Sequence, residues 1–148
     1  MKLLDTRAYV SALRELTEQG REVSMTISGS SMSPFLIHQR DRILFRKPER
    51  ELQVGDMVFY ERDSGQFVMH RIRRIRPEGY YLIGDAQVVT EGPIRRDQIF
   101  AVVTRVQRKG QWIGPGDFWW EFFARVWIHL IPGRSLLIRL YGVFGRHQ

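Results

Sequence analysis

The feature that most limits the fold is a series of short segments rich in β-branched and aromatic residues, each closed by a turn signal. Residues 23–27 alternate apolar and polar side chains, and similar runs follow at 42–45, 57–60, 67–75, 80–83 and 99–106. Between them stand Lys47-Pro48, Val54-Gly55-Asp56, Asp63-Ser64-Gly65, Pro77-Glu78-Gly79 and Gly92-Pro93. Short strands at this spacing predict a mainly β domain over 23–109, a coiled antiparallel sheet or partial barrel rather than βαβ units.

An N-terminal helix is predicted within 1–22. Asp5 or Thr6 can cap it, Ala8, Ala12, Leu13 and Leu16 recur at helical spacing, and Gly20 stops it. A third region, 110–148, is an aromatic and basic helical appendage. Asp117, Glu121, Arg125 and His129 stand four apart and draw one thin polar line on an apolar cylinder; Pro132-Gly133 interrupts the pattern, and 136–144 resumes it. Two readings are open here: a helical hairpin packed on the β domain, or an interfacial anchor with arginines on anionic lipid.

Charge is uneven. The chain carries 23 basic and 16 acidic residues, and 105–148 alone holds seven basic against two acidic. No nucleic-acid partner is expected, because Arg73 and Arg74 fall on opposite faces of a strand and make no stripe. The longest apolar run, 118–131, includes Glu121, Arg125 and His129 and is shorter than the roughly 20 apolar residues a span needs. An acid at position 5 also argues against a secretory signal. A cytoplasmic protein is expected, and on the anchor reading it touches a membrane surface peripherally through 117–146. The chain has no cysteine, which excludes a disulfide framework, a thiolate zinc site and a cysteine nucleophile; its four histidines are scattered, so no metal and no cofactor is expected.

The chemistry concentrates in Ile27-Ser-Gly-Ser-Ser-Met-Ser-Pro-Phe35. A Ser/Gly string is usually a turn. A nucleophilic serine needs a base in reach and backbone N–H groups aimed at the oxyanion, and a tight turn containing Gly29 can supply such donors. His70 lies in a strand with Val68 and Ile72 on its face, an apolar setting that keeps imidazole neutral at pH 7. Asp85 follows Gly84 at a strand end. Each of these alone is common: a half-buried strand histidine, a turn-forming Gly-Asp.

Their order is more specific. Ser28-Gly29-Ser30-Ser31-Met32-Ser33-Pro34, Gly55-Asp56-Met57-Val58, His70-Arg71-Ile72 and Gly84-Asp85 together resemble the superfamily of signal peptidase I and the LexA-like self-cleaving repressors, over residues 23 to about 106. Histidine in place of lysine is similar to the archaeal, endoplasmic-reticulum and sporulation-type signal peptidases. The resemblance implies Ser31 as nucleophile, His70 as base and Asp85 as its assistant, with a further acid matched at best by Glu91. It implies oxyanion donors at Ser31 and a neighbour, Ser30 or Gly29. Met32 and Phe35 are candidate walls of the substrate site. The implied reaction is acyl transfer on a leader or signal-like segment of a peptide or protein precursor, bound as an extended strand, with activity rising through the ordinary histidine pKa of ~6.5.

Two departures shape the expectation. The chain lacks the transmembrane anchor of a signal peptidase, and the 30 residues before Ser31 are too few for a repressor's DNA-binding domain and linker. A small stand-alone peptidase is expected. The alternative is a non-catalytic peptide-binding or membrane-associated adaptor on the same fold.

Overall fold

The structure, a computed structural model, describes residues 3–27, 32 and 34–130. Ser28, Gly29, Ser30, Ser31, Ser33 and the apolar stretch 136–144 lie outside the described residues. The elements are α1 (Leu3–Glu18), β1 (Val23–Thr26), β2 (Arg42–Arg46), β3 (Met57–Glu61), β4 (Phe67–Arg76), β5 (Gly79–Ile83), β6 (Glu91–Ile94), β7 (Ile99–Arg108), β8 (Gln111–Ile113) and α2 (Phe118–Arg125), with a 3-10 turn at Trp127–His129.

Among the described residues all strand pairs are antiparallel and join in one eight-stranded sheet of order β1-β2-β7-β3-β4-β5-β6, with β8 added to β7. The sheet is not closed: β1 and β6 are its ends. The register shifts within the β2–β7, β3–β7 and β4–β5 pairs. Such irregularities sharpen local twist and let a sheet of this size coil.

Six strands fall where the alternating pattern predicts them. Two were hidden. Gly92-Pro93 reads as a turn but lies inside β6. Proline lacks a ladder donor, and β6 tolerates it because it pairs only with β5, at the sheet end. The three-residue β8 is too short to show a period.

The helix α1 begins before both of its predicted caps, Asp5 and Thr6. Its buried stripe is Val10, Leu13 and Thr17 with half-buried Leu16, whereas Ala8 and Ala12 are exposed. Larger side chains remove more apolar area from water, so they set the helix's rotation against the sheet. Thr17 is tolerated inside because its hydroxyl donates to the Arg14 carbonyl at 2.7 Å. The helix stops as predicted: Gly20 adopts φ +81°, and the N–H groups of Gly20 and Arg21 return to the carbonyls of Thr17 and Leu16.

Strand register sorts the core into two clusters. On one face lie Met57, Phe59, Ala101, Val103, Val106, Ile43 and Phe45, covered by α1, by Met32, Phe35 and Leu36, and by Phe123 and Trp127 from the C-terminal region. On the other lie Val58, Tyr60, Ile72, Leu82, Ile99 and Val102. Phe35, Leu36, Ile43 and Tyr60 have no exposed surface; burying a side chain such as Phe or Leu contributes about 1.5–3 kcal/mol relative to exposure.

The polar line of α2 forms in part. Arg125 Nε bonds Glu121 at 2.7 Å, and the Glu121 and Asp117 carboxylates accept from the N–H groups of Gly116 and Gly114. The helix ends at Arg125, so His129 falls on the following turn. Phe123, Trp127 and Ile128 are buried, while Phe118 is 70% and Trp119 47% exposed. Both readings of this region therefore keep a physical basis: one face packs on the sheet and the other meets solvent. No helix among the described residues is long and apolar enough to cross a membrane.

Candidate active site

The β3–β4 hairpin turns at Asp63-Ser64-Gly65, which sets Val58 opposite His70 and Tyr60 opposite Val68. Paired residues share a face, so His70 and Tyr60 both face the second cluster. His70 is 3% exposed. Burial pushes its imidazole down to about 4; the Glu91 carboxylate opposes the shift and the Arg62 guanidinium adds to it. The sequence expected a neutral histidine at pH 7 with an ordinary pKa. The first holds, and desolvation overturns the second.

The Tyr60 hydroxyl lies 3.1 Å from His70 Nδ1. Burial, reinforced by Glu91, raises the phenol well above its usual value, so it stays protonated. Glu91 bonds the phenol and is gripped by Arg62, whose Nε reaches its two oxygens at 3.1 and 3.0 Å and whose Nη2 lies 2.5 Å from one of them. Burial opposes ionisation of Glu91, but these bonds outweigh it and lower its pKa. A carboxylate only accepts, which fixes the order of the relay. Tyr60 donates to Glu91, Tyr60 accepts from the Nδ1–H of His70, and the Nε2 lone pair is left as the basic position.

Asp85 is placed differently. Its carboxylate accepts from Arg71 Nε at 3.0 Å and Nη2 at 2.9 Å, and both side chains are buried. Arg71 Nη1 donates to the Gly55 carbonyl at 2.8 Å. Arg71 precedes Ile72 and follows His70 on β4, so it points to the first cluster, where its guanidinium lies 5.4 Å from the Phe35 ring centroid. The expected triad is corrected accordingly: Asp85 neutralises Arg71, and the groups beside His70 are Tyr60, Glu91 and Arg62. A buried guanidinium binds a carboxylate in bidentate fashion more strongly than a neutral imidazole does.

The chain around the serines is pinned at its ends. Ile27 N–H donates to the Asp41 carbonyl and Gln39 N–H to the Ile27 carbonyl, both at 2.8 Å. Asp41, buried and held below the usual carboxylate range by Arg40 and the N–H groups of Ile37 and Lys109 against the cost of its burial, braces the return of the loop. Met32 and Phe35, expected as substrate walls, are 2% and 0% exposed and pack in the first cluster. They are core residues, because Phe35 rests on Phe123 at 4.7 Å between ring centroids. Ile27 and Met32 thus anchor on the face of the sheet opposite His70. Gly29, Ser30 and Ser31 lie outside the described residues.

A depression of about 410 Å³ is lined by Arg62, Ala86, Gln87, Val88, Val89 and Glu91. It shares two residues with the relay, and Val89, 76% exposed, stands at its border. Among the described residues no group of three His, Asp or Glu side chains is arranged to hold a metal. Tyr60 and Arg62 were missed at the sequence level. The available signal was that Tyr60 stands two residues after Val58 in a strand run, which puts both on one face.

No family model matches the chain, and neither a curated protein nor a solved structure does so.

Proposed function

We propose that the protein is a serine peptidase of the signal-peptidase-like type, in which Ser31 attacks a peptide carbonyl and His70 is the general base. The observation that carries this reading is the Tyr60 hydroxyl at 3.1 Å from His70 Nδ1. It is braced by the Glu91–Arg62 pair, so that a neutral imidazole presents Nε2 as an acceptor. The ordered motifs around Ser31, Gly55-Asp56, His70-Arg71 and Gly84-Asp85 support the assignment, and so does the mainly β fold with its open antiparallel sheet.

In the reaction, Nε2 takes the Ser31 Oγ proton as Oγ bonds the carbonyl carbon. The imidazolium then protonates the leaving amine, and water attacks the acyl-enzyme by the same path. Tyr60 and Glu91 stabilise the transient imidazolium. The substrate is an extended leader or signal-like segment of a precursor; β6, whose first residue is Glu91, offers an outer edge to which such a strand can add. The reaction requires Ser31 and Nε2 to meet, and His70 to become accessible from its buried position.

Incubation with unstructured peptides and mass spectrometry tests the proposal. Cleavage by the wild-type chain that disappears in Ser31→Ala, with unchanged circular dichroism, is expected. Equal cleavage by both proteins contradicts it.

A second reading rests on a different observation. Exposed Phe118 and Trp119, with the Arg108 guanidinium 5.2 Å from the Trp119 ring, suit a membrane-associated binding module on the same fold. Flotation with anionic but not neutral vesicles, lost in Phe118→Ser/Trp119→Ser, supports this module. Its absence in the wild type removes it.

A further inference from the structure

The C-terminal helix reaches Phe35 through a continuous set of contacts. Trp127, 5% exposed, donates its indole N–H to the backbone carbonyl of Asp85 at 2.8 Å. The Asp85 side chain holds Arg71 by two bonds, and Arg71 lies against the Phe35 ring. Phe35 closes the circuit, packing on Phe123 at 4.7 Å and on Trp120 at 6.4 Å; Phe123 in turn meets Trp127 at 5.5 Å. The Phe35 carbonyl accepts from Arg108 at 2.8 Å. On the same helix, Gly55 allows flush contact, since a Cβ there would stand 2.7 Å from the Ala124 carbonyl oxygen.

This arrangement exceeds what simple hydrophobic cover requires. A helix packed for burial alone needs no indole N–H aimed at one carbonyl, and no cation beneath the ring it covers. The polar contacts fix where Asp85 and Arg71 sit, and the aromatic contacts fix Phe35, four residues beyond Ser31.

We propose that Trp127 is a positioning residue: acting through Asp85, Arg71 and Phe35, it makes α2 and its terminal turn a clamp on the chain that follows Ser31. The catalytic consequence rests on the peptidase reading, whereas the clamp itself does not.

The test compares the full chain with Trp127→Phe, which keeps an aromatic ring and removes the donor. Trp112→Phe, at an exposed tryptophan on β8, is the control. Two quantities are read: amide exchange at Leu36, whose N–H donates to the Met32 carbonyl at 2.9 Å, and the rate at which a fluorophosphonate modifies Ser31. In Trp127→Phe, exchange at Leu36 is expected to rise at least about tenfold and phosphonylation to fall at least about tenfold. The β3 and β4 amides should remain protected, and Trp112→Phe should match wild type. Unchanged exchange at Leu36 overturns the clamp whether or not the protein is an enzyme. Faster exchange with an unchanged phosphonylation rate overturns the positioning role. A wild-type chain that never reacts refutes the peptidase reading, and with it the catalytic role of Trp127, while exchange still decides the clamp.

Discussion

His70 and Arg71 are neighbours in sequence and stand on opposite faces of β4, one bonded to Tyr60 and the other to Asp85. This division separates two tasks that the sequence motif joins. The imidazole is tuned by burial and a phenol–carboxylate relay, whereas Asp85 holds Arg71 through its carboxylate and the C-terminal region through its backbone carbonyl.

Removing the phenol tests the relay. In Tyr60→Phe the Nδ1–H of His70 loses its acceptor in a buried site. Leaving such a group unpaired costs about 1–3 kcal/mol, which reduces kcat/KM by about 10- to 100-fold if felt fully in the transition state. Peptide hydrolysis kinetics check this; wild-type kcat/KM contradicts the relay.

The pH profile follows from the direction of the His70 shift. The base acts unprotonated, so kcat/KM should rise through about 4 and be flat near neutrality. Stability has a linked dependence. The folded imidazole resists protonation and the unfolded one does not, so stability is full above the unfolded pKa of ~6.5 and declines as pH falls toward the folded value. NMR titration of the His70 ring reads the value directly.

The Arg71–Asp85 pair should show the asymmetry of buried ion pairs. Asp85→Asn leaves a buried guanidinium uncompensated and should cost about 3–5 kcal/mol of folding stability. Arg71→Met/Asp85→Leu removes both charges and should recover most of it. Urea unfolding measures both, and a harmless Asp85→Asn would show that the pair is not the brace described.

Gly55 reports the docking of α2. Gly55→Ala adds a Cβ 2.7 Å from the Ala124 carbonyl at a backbone φ of +99°. The substitution should lower stability by about 1–3 kcal/mol and increase the fluorescence accessibility of Trp127 to a quencher.

Much of the sheet was legible because alternation and turn residues report on half-buried strands directly. Val58, Tyr60, Val68 and Ile72 share a face through a period of two. The C-terminal aromatics were legible as an amphipathic element, but nothing local told which rings face inward; the contact of Phe123 with Phe35 joins residues far apart in sequence. The relay was illegible for the same reason. Arg62 and Glu91 meet only once β5 and β6 have folded back beside the β3–β4 turn, and β6 was concealed by Gly92-Pro93. Motif order drew attention to Asp85 but assigned it to His70, whereas its carboxylate binds Arg71; a Gly-Asp turn can serve an imidazole or a guanidinium equally well.

Activation of the Ser31 hydroxyl by His70 is the step on which the proposed peptidase activity depends. The direct measurement is the rate of Ser31 modification by a fluorophosphonate in the wild-type chain and in His70→Ala, followed by mass spectrometry of the peptide containing Ser31. The account expects a single adduct on Ser31 in the wild type and a loss of at least about 100-fold in rate in His70→Ala. Modification at equal rates in the two proteins, or none in the wild type, would contradict it.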